Sequence, residues 1–218
     1  SGRVWRTGAA NAVDPANVFW VQQPTRPALR PAESPAVLLD GAGFNTDPTV
    51  TYWVGDGIYK LDSDLPDQGM AWTRMLQLQT DEGVAQSIEV ISTAEIWVGT
   101  SSGNLLRTAD GGSTWTRLGR ERFFNREHNG NELGTTSQFL PVPGTIRAMS
   151  GLNGQNVFMA TQQNVFDTRD GGTSWRRQNN TLFYDLQMMP TTRNGKPDFV
   201  GWAVGLGGML QIYAPPPP

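Results

Sequence analysis

Thr108-Ala109-Asp110-Gly111-Gly112-Ser113-Thr114-Trp115 recurs as Thr168-Arg169-Asp170-Gly171-Gly172-Thr173-Ser174-Trp175, with five identical positions. A weaker third copy is Asp67-Gln68-Gly69-Met70-Ala71-Trp72, where Ala71 replaces Ser or Thr and one glycine is missing. Trp72, Trp115 and Trp175 are 43 and 60 residues apart, one period and one period plus an insertion. A repeat of roughly 40 to 45 residues built from several short strands is the signature of a propeller blade.

The flanks of the motif repeat with it. Upstream stand the apolar runs Tyr52-Trp53-Val54-Gly55-Asp56, Ile96-Trp97-Val98-Gly99-Thr100 and Val157-Phe158-Met159-Ala160-Thr161, which read as second strands. Third strands follow at 58–61, 105–108 and 165–168, and fourth strands begin at Trp72, Trp115 and Trp175. Innermost strands are expected at 37–39, 87–91, 145–150 and 182–188. Near the C-terminus, 199–205 and 209–213 supply a second and third strand with no fourth after them. At the other end, 2–7 resembles a third strand and 18–22, with Trp20, a fourth. The expectation is an all-β chain, 1–218 forming one small β-propeller of four or five four-stranded antiparallel blades. Pairing of the N- and C-terminal strands, 18–22 beside 209–213, would close it and protect the open sheet edge.

The motif reads as a hairpin device. Asp110 and Asp170 can accept backbone N–H groups across their own turn. Gly111, Gly112, Gly171 and Gly172 allow the positive φ that such a turn requires. Trp115 and Trp175 can fold over the turn and bury a large ring. The structural set is therefore Thr108, Asp110, Gly112, Thr114 and Trp115, with Thr168, Asp170, Gly172, Ser174 and Trp175, and in the third copy Asp67, Gly69 and Trp72.

D-x-G-x-[ST]-W, preceded two positions earlier by Ser or Thr, resembles the Asp-box of sialidase-type and related propellers. The runs 96–100 and Gly201-Trp202-Ala203-Val204-Gly205 are further similar to the photosystem II stability and assembly-factor family and its bacterial relatives. The likeness covers about 52–175 well and the ends only in outline. It implies boxes on the outer rim, ligands on an axial face, and a part in assembling or stabilising a multisubunit complex.

Composition narrows the function. Seventeen basic and 20 acidic residues are interspersed, leaving a formal charge of -3 and no electrostatic footprint for nucleic acid or an anionic membrane. There is no Cys, which removes disulfides and thiolate metal sites, and His128 is the sole His, in a polar segment. The chain begins at Ser1 without Met and has no apolar run long enough for a signal core or a membrane span, so a removed leader or a trimmed end is expected. Periplasmic, extracellular or particle-associated placement is favoured over cytoplasmic.

A glycosidase needs paired carboxylates, or a Tyr nucleophile with an acid. Asp56, Asp62, Asp64, Glu89 and Asp185 are scattered, and no Arg-Ile-Pro element occurs. Gly205-Leu206-Gly207-Gly208 lacks the Lys-[Ser/Thr] of a phosphate loop and reads as a strand connection. The expectation is a non-catalytic protein-binding scaffold or assembly module, without cofactor or metal. The alternative is a carbohydrate-binding or glycosidase-like Asp-box propeller, with a glycan as ligand. The insertion at 119–143 is expected to carry the protein partner through Arg120, Arg122, Phe123, Phe124 and Arg126, since aromatic and Arg side chains dominate binding hot spots. Phe123 and Phe124 could instead pack on their own blade. The Pro-rich stretches 24–35 and 214–218 read as extended connections.

Overall fold

A computed structural model describes residues 5–6, 21–22, 51–61, 72–118, 122–125, 144–162, 164–179, 182–193 and 196–213. In chain order, β1 (Trp5–Arg6) pairs antiparallel with β2 (Val21–Gln22). The first blade holds β3 (Thr51–Val54), β4 (Gly57–Leu61) and β5 (Trp72–Gln77). The second holds β6 (Ala85–Val90), β7 (Ile96–Thr100), β8 (Leu105–Thr108) and β9 (Thr116–Leu118). After β10 (Arg122–Asn125), the third holds β11 (Ile146–Asn153), β12 (Asn156–Thr161), β13 (Val165–Thr168) and β14 (Ser174–Asn179). The fourth holds β15 (Phe183–Arg193), β16 (Lys196–Gly205) and β17 (Leu210–Tyr213). Strands consecutive within each blade pair antiparallel, and β16 passes to β17 through a 3₁₀ turn, Leu206–Gly208.

The middle strands of the second and third blades are apolar on both faces because each of these blades is sandwiched between neighbours. Along β7, Ile96 and Val98 enter an apolar layer with Tyr52, Val54 and Ile58 of the first blade. The intervening Trp97 enters a second layer with Ile146, Met159 and Trp175 of the third blade. In β12 the roles repeat: Val157 and Met159 face back into the second layer, while Phe158 and Ala160 join Phe183, Leu186, Met188 and Phe199 of the fourth blade. These layers are the core. Burying such side chains is worth about 1.5–3 kcal/mol each relative to exposure.

The first strands of successive blades lie side by side and are stitched by polar groups. The Ser87 hydroxyl donates to the Ile146 carbonyl at 3.0 Å, and the Met188 N–H donates to Ser150 Oγ at 3.0 Å. The Gly151 N–H donates to Glu89 Oε1 at 2.7 Å. Gly99 allows the close approach: a Cβ there would overlap the Ile146 side chain and the Ser87 hydroxyl.

Two expectations need amendment. The beginning of the 119–143 insertion is not only a projecting loop, since β10 adds in parallel to the outer edge of the third blade, with Phe123 opposite Trp175. At the N-terminus β2 pairs with β1, and among the described residues it is not beside β17. Residues 18–20, the innermost strand expected at 37–39, Asp67 and Gly69 lie outside the described residues.

Candidate functional site

The two complete boxes fold identically. Thr108 Oγ1 accepts the N–H groups of Asp110 (3.3 Å) and Gly112 (2.9 Å) and donates its proton to Asp110 Oδ1 at 2.8 Å. Asp110 in turn accepts the Thr114 N–H at 2.8 Å and the Thr114 hydroxyl at 2.6 Å. In the second copy Thr168 bonds Asp170 and Gly172 at 2.8 Å each, and Asp170 accepts the Ser174 N–H at 2.9 Å and hydroxyl at 2.5 Å. Gly111 and Gly112 have φ of 70° and 91°, and Gly171 and Gly172 of 71° and 93°, in the left-handed region that side chains disfavour. Trp72 opens β5 in the third, incomplete copy.

These carboxylates are held ionised by their donors. The Thr114 hydroxyl and N–H, with Thr108, bring Asp110 down to about 2. For Asp170, burial pushes upward, but Ser174 and Thr168 outweigh it and the net direction is downward.

Each box also joins elements. The Gly111 N–H donates to the Ala94 carbonyl at 2.9 Å and the Gly171 N–H to the Gln155 carbonyl at 3.1 Å, tying each turn to the first hairpin of its own blade. The turn then leans on the preceding blade: Gly112 against Met75, Gly172 against Trp97 and Leu118. Trp175 is fully buried and meets Trp97 edge-on, centroids 6.2 Å apart. Trp115 differs, being only half-buried and, like Met75 and Leu76, packed against the outside of its layer. Arg107 reinforces the second junction. It bonds Glu95 through two nitrogens (2.6 and 3.2 Å), reaches the Gly171 carbonyl at 3.1 Å, and lies 5.1 Å above the Trp97 ring. These contacts fasten each turn to its own blade and to the preceding one.

A different set of residues lies along the innermost strands. In three successive blades the register shifts at the same place in the innermost strand: between Ala85 and Ser87, Ile146 and Ala148, and Phe183 and Asp185. The extra residues are Gln86, Arg147 and Tyr184. Bulges re-aim side chains, and they concentrate at barrel rims and beside active sites. Arg147 places its guanidinium carbon 5.6 Å from the centroid of the exposed Tyr184 ring. Its Nε is buried without a hydrogen-bond partner among the described residues. A guanidinium seated on an aromatic face can take a carboxylate or a peptide carbonyl.

Sequence reasoning missed this row. No local signal marks it, because each bulge is defined only by the register against the paired strand. Of the residues first assigned to a partner, Arg122, Phe123 and Phe124 have their backbones in β10, and Arg120 and Arg126 lie outside the described residues.

Buried carboxylates elsewhere are occupied structurally. Glu82 is raised by burial but lowered overall by Arg117, which bonds it through two nitrogens, and by the Gln79 N–H. Asp167 accepts from Arg169 and Gln178. Asp56 accepts from Tyr59 at 3.2 Å. Among the described residues no group of three or more His, Cys, Asp or Glu is placed to hold a metal.

No protein-family model matches the chain. The photosystem II assembly lipoprotein Ycf48 of Synechococcus sp. (strain CC9902) is 26% identical over 172 residues, 78% of this chain and 45% of that protein. The chain is similar to the Ycf48-type photosystem II assembly factors. A solved structure of YCF48 bound to D1 peptide aligns with a TM-score of 0.51 at 16% identity, covering 83% of this chain and 53% of that one. The alignment identifies the blades as those of a β-propeller. The chain spans about half the length of these Ycf48 relatives. No helix among the described residues is long and apolar enough to cross a membrane.

Proposed function

We propose that this protein is a non-catalytic, protein-binding module that serves the assembly of a larger complex, and that it recognises an extended segment of its partner along the bulged edge of its innermost strands. The observation that carries this reading is the equivalent placing of Gln86, Arg147 and Tyr184 by three bulges, with Arg147 stacked on an exposed ring. The likeness to an assembly lipoprotein and to a propeller bound to a peptide supports it. The same likeness favours a compartment outside the cytoplasm. Photosystem II is one complex such a module could serve.

The test is titration of the full chain with extended peptides that differ in acidic content, followed by calorimetry. Arg147→Gln should weaken an acidic peptide at least about 10-fold, or about 1.4 kcal/mol, while leaving the melting curve in place. If Arg147→Gln binds normally, the bulged edge is not the site.

A second reading places the partner on the 119–143 insertion, through Arg120, Arg122, Phe123, Phe124 and Arg126. The observation favouring it is β10, which anchors one end of that insertion to the outer edge of the third blade. Binding that survives Arg147→Gln but is lost on replacing Phe123, Phe124 and Arg126 with Ala would select it.

A further inference from the structure

The register of the blades shows which face of the fourth is meant to be covered. Trp97 lies opposite Glu89, Phe158 opposite Ser150, and Trp202 opposite Gln187, so the three rings hold the same position in successive second strands. Trp97 is 0% exposed against Trp175 of the next blade, and Phe158 is 2% exposed against Phe199 of the next, centroids 5.0 Å apart. Trp202, with no next blade among the described residues, is 41% exposed. Its neighbours behave alike. Leu210 pairs with Val204 as Leu105 pairs with Gly99; Leu105 is fully buried and Leu210 is exposed. Met189, Trp202, Val204, Leu210 and Ile212 thus leave an apolar sheet face open to solvent. Among the residues whose side chains are described, every exposed large hydrophobic belongs to the fourth blade or its turn. A face of this kind marks a docking site rather than a solvated surface.

We infer that this face is covered by the chain's own N-terminal segment, the one bearing β1 and β2, packed against it as a further blade packs against its predecessor. Three observations select this occupant. The segment before Thr51 is 50 residues long, against a blade period of 43. Its two described strands already pair antiparallel, as the third and fourth strands of a blade do. It carries the rings and branched residues that such a layer uses, including Val4, Trp5, Phe19 and Val21. Covalent tethering adds an effective concentration in the millimolar range, which a second copy at micromolar concentration does not match. The contact is face to face. It differs from edge pairing of 18–22 with β17, and it stands independently of the peptide-binding reading.

The chain has no cysteine, so paired thiols can be placed freely. In the 218-residue chain, Ile212→Cys is combined with Val21→Cys or with Gln22→Cys, since neighbouring strand positions point to opposite sides. The same N-terminal substitutions are combined with Thr116→Cys, on an exposed position of the second blade, as controls. Folding is checked by circular dichroism, and a short bismaleimide is added to dilute protein. The expected result is an intramolecular cross-link to position 212, for one of the two N-terminal positions, in at least about fivefold excess over the control. The single variant Ile212→Cys should also be alkylated at least about 10-fold more slowly than Thr116→Cys, at a rate ratio that does not change with protein concentration. Cross-linked dimers, with protection that vanishes on dilution, would show that a second copy covers the face. Cross-linking no better than the control, with a freely reactive thiol at 212, would show it uncovered. Either result overturns the inference.

Discussion

At the residue scale each of the turns 108–115 and 168–175 is a set of charge-assisted hydrogen bonds, and its pH dependence follows from their direction. Asp110 titrates near 2 in the folded chain against an ordinary 3.8, and Asp170 and Glu82 are also lowered. A carboxylate whose folded pKa is depressed adds stability that is complete above its unfolded pKa and is lost as pH falls through the folded one. Stability should therefore hold from neutral pH to about 4 and decline between about 4 and 2. Urea unfolding at pH 5, 3 and 2 reads this directly. Asp170→Asn should be less stable than the parent at pH 5, and the gap should close by pH 2; a gap of constant size would mean that the charge is not what the turn uses. The box tryptophans give a second contrast. Trp175→Ala should cost about 3–5 kcal/mol, the range for a buried ring truncated to Ala. Half-buried Trp115→Ala should cost clearly less, measured by the same urea curves. Equal costs would deny that burial against Trp97 distinguishes the two copies.

At the element scale, strands and turns were legible in the sequence because their causes are local. Ile96–Thr100, Leu105–Thr108 and Val165–Thr168 coincide with the runs expected as second and third strands, for alternation and turn glycines act within a few residues. What escaped is set by distant partners. The bulges at Gln86, Arg147 and Tyr184 are defined only against the paired strand, so the row they form was hidden although its residues were in view. The parallel pairing of β10 with β14 joins segments about 50 residues apart, with no local signature. The close packing of first strands across blades is likewise non-local, and it yields a prediction at Gly99. Gly99 has an ordinary strand conformation, yet a Cβ would collide with Ile146 and Ser87 of the packed layer. Gly99→Ala should cost about 1–3 kcal/mol through overpacking, and a partner Ile146→Val substitution should recover part of it. Additive losses in that double variant would show that the collision is relieved elsewhere.

At the scale of the whole molecule, the three apolar layers make stability a chain of nearest-neighbour terms. The first layer joins blades one and two, the second joins two and three, and the third joins three and four. Blade three is fastened on both sides, through Met159 and Trp175 on one and Phe158 and Ala160 on the other. Weakening one layer should thus loosen what lies beyond it before it loosens the remainder, as in other repeat architectures. Phe158→Ala removes the ring that meets Phe199 edge-on and leaves the second layer intact, since Phe158 takes no part in it. Native-state amide exchange should then accelerate in β15 and β16 while β6, β7 and β8 keep the parent's rates. Ile96→Ala, in the first layer, should act on β3 and β4 and spare β15 and β16. The two patterns are opposite and come from positions of similar burial, so a general loss of stability cannot imitate both. Uniform acceleration across all the described blades in either variant would mean that the blades unfold as a single cooperative unit, and that the layers are not separable in energy.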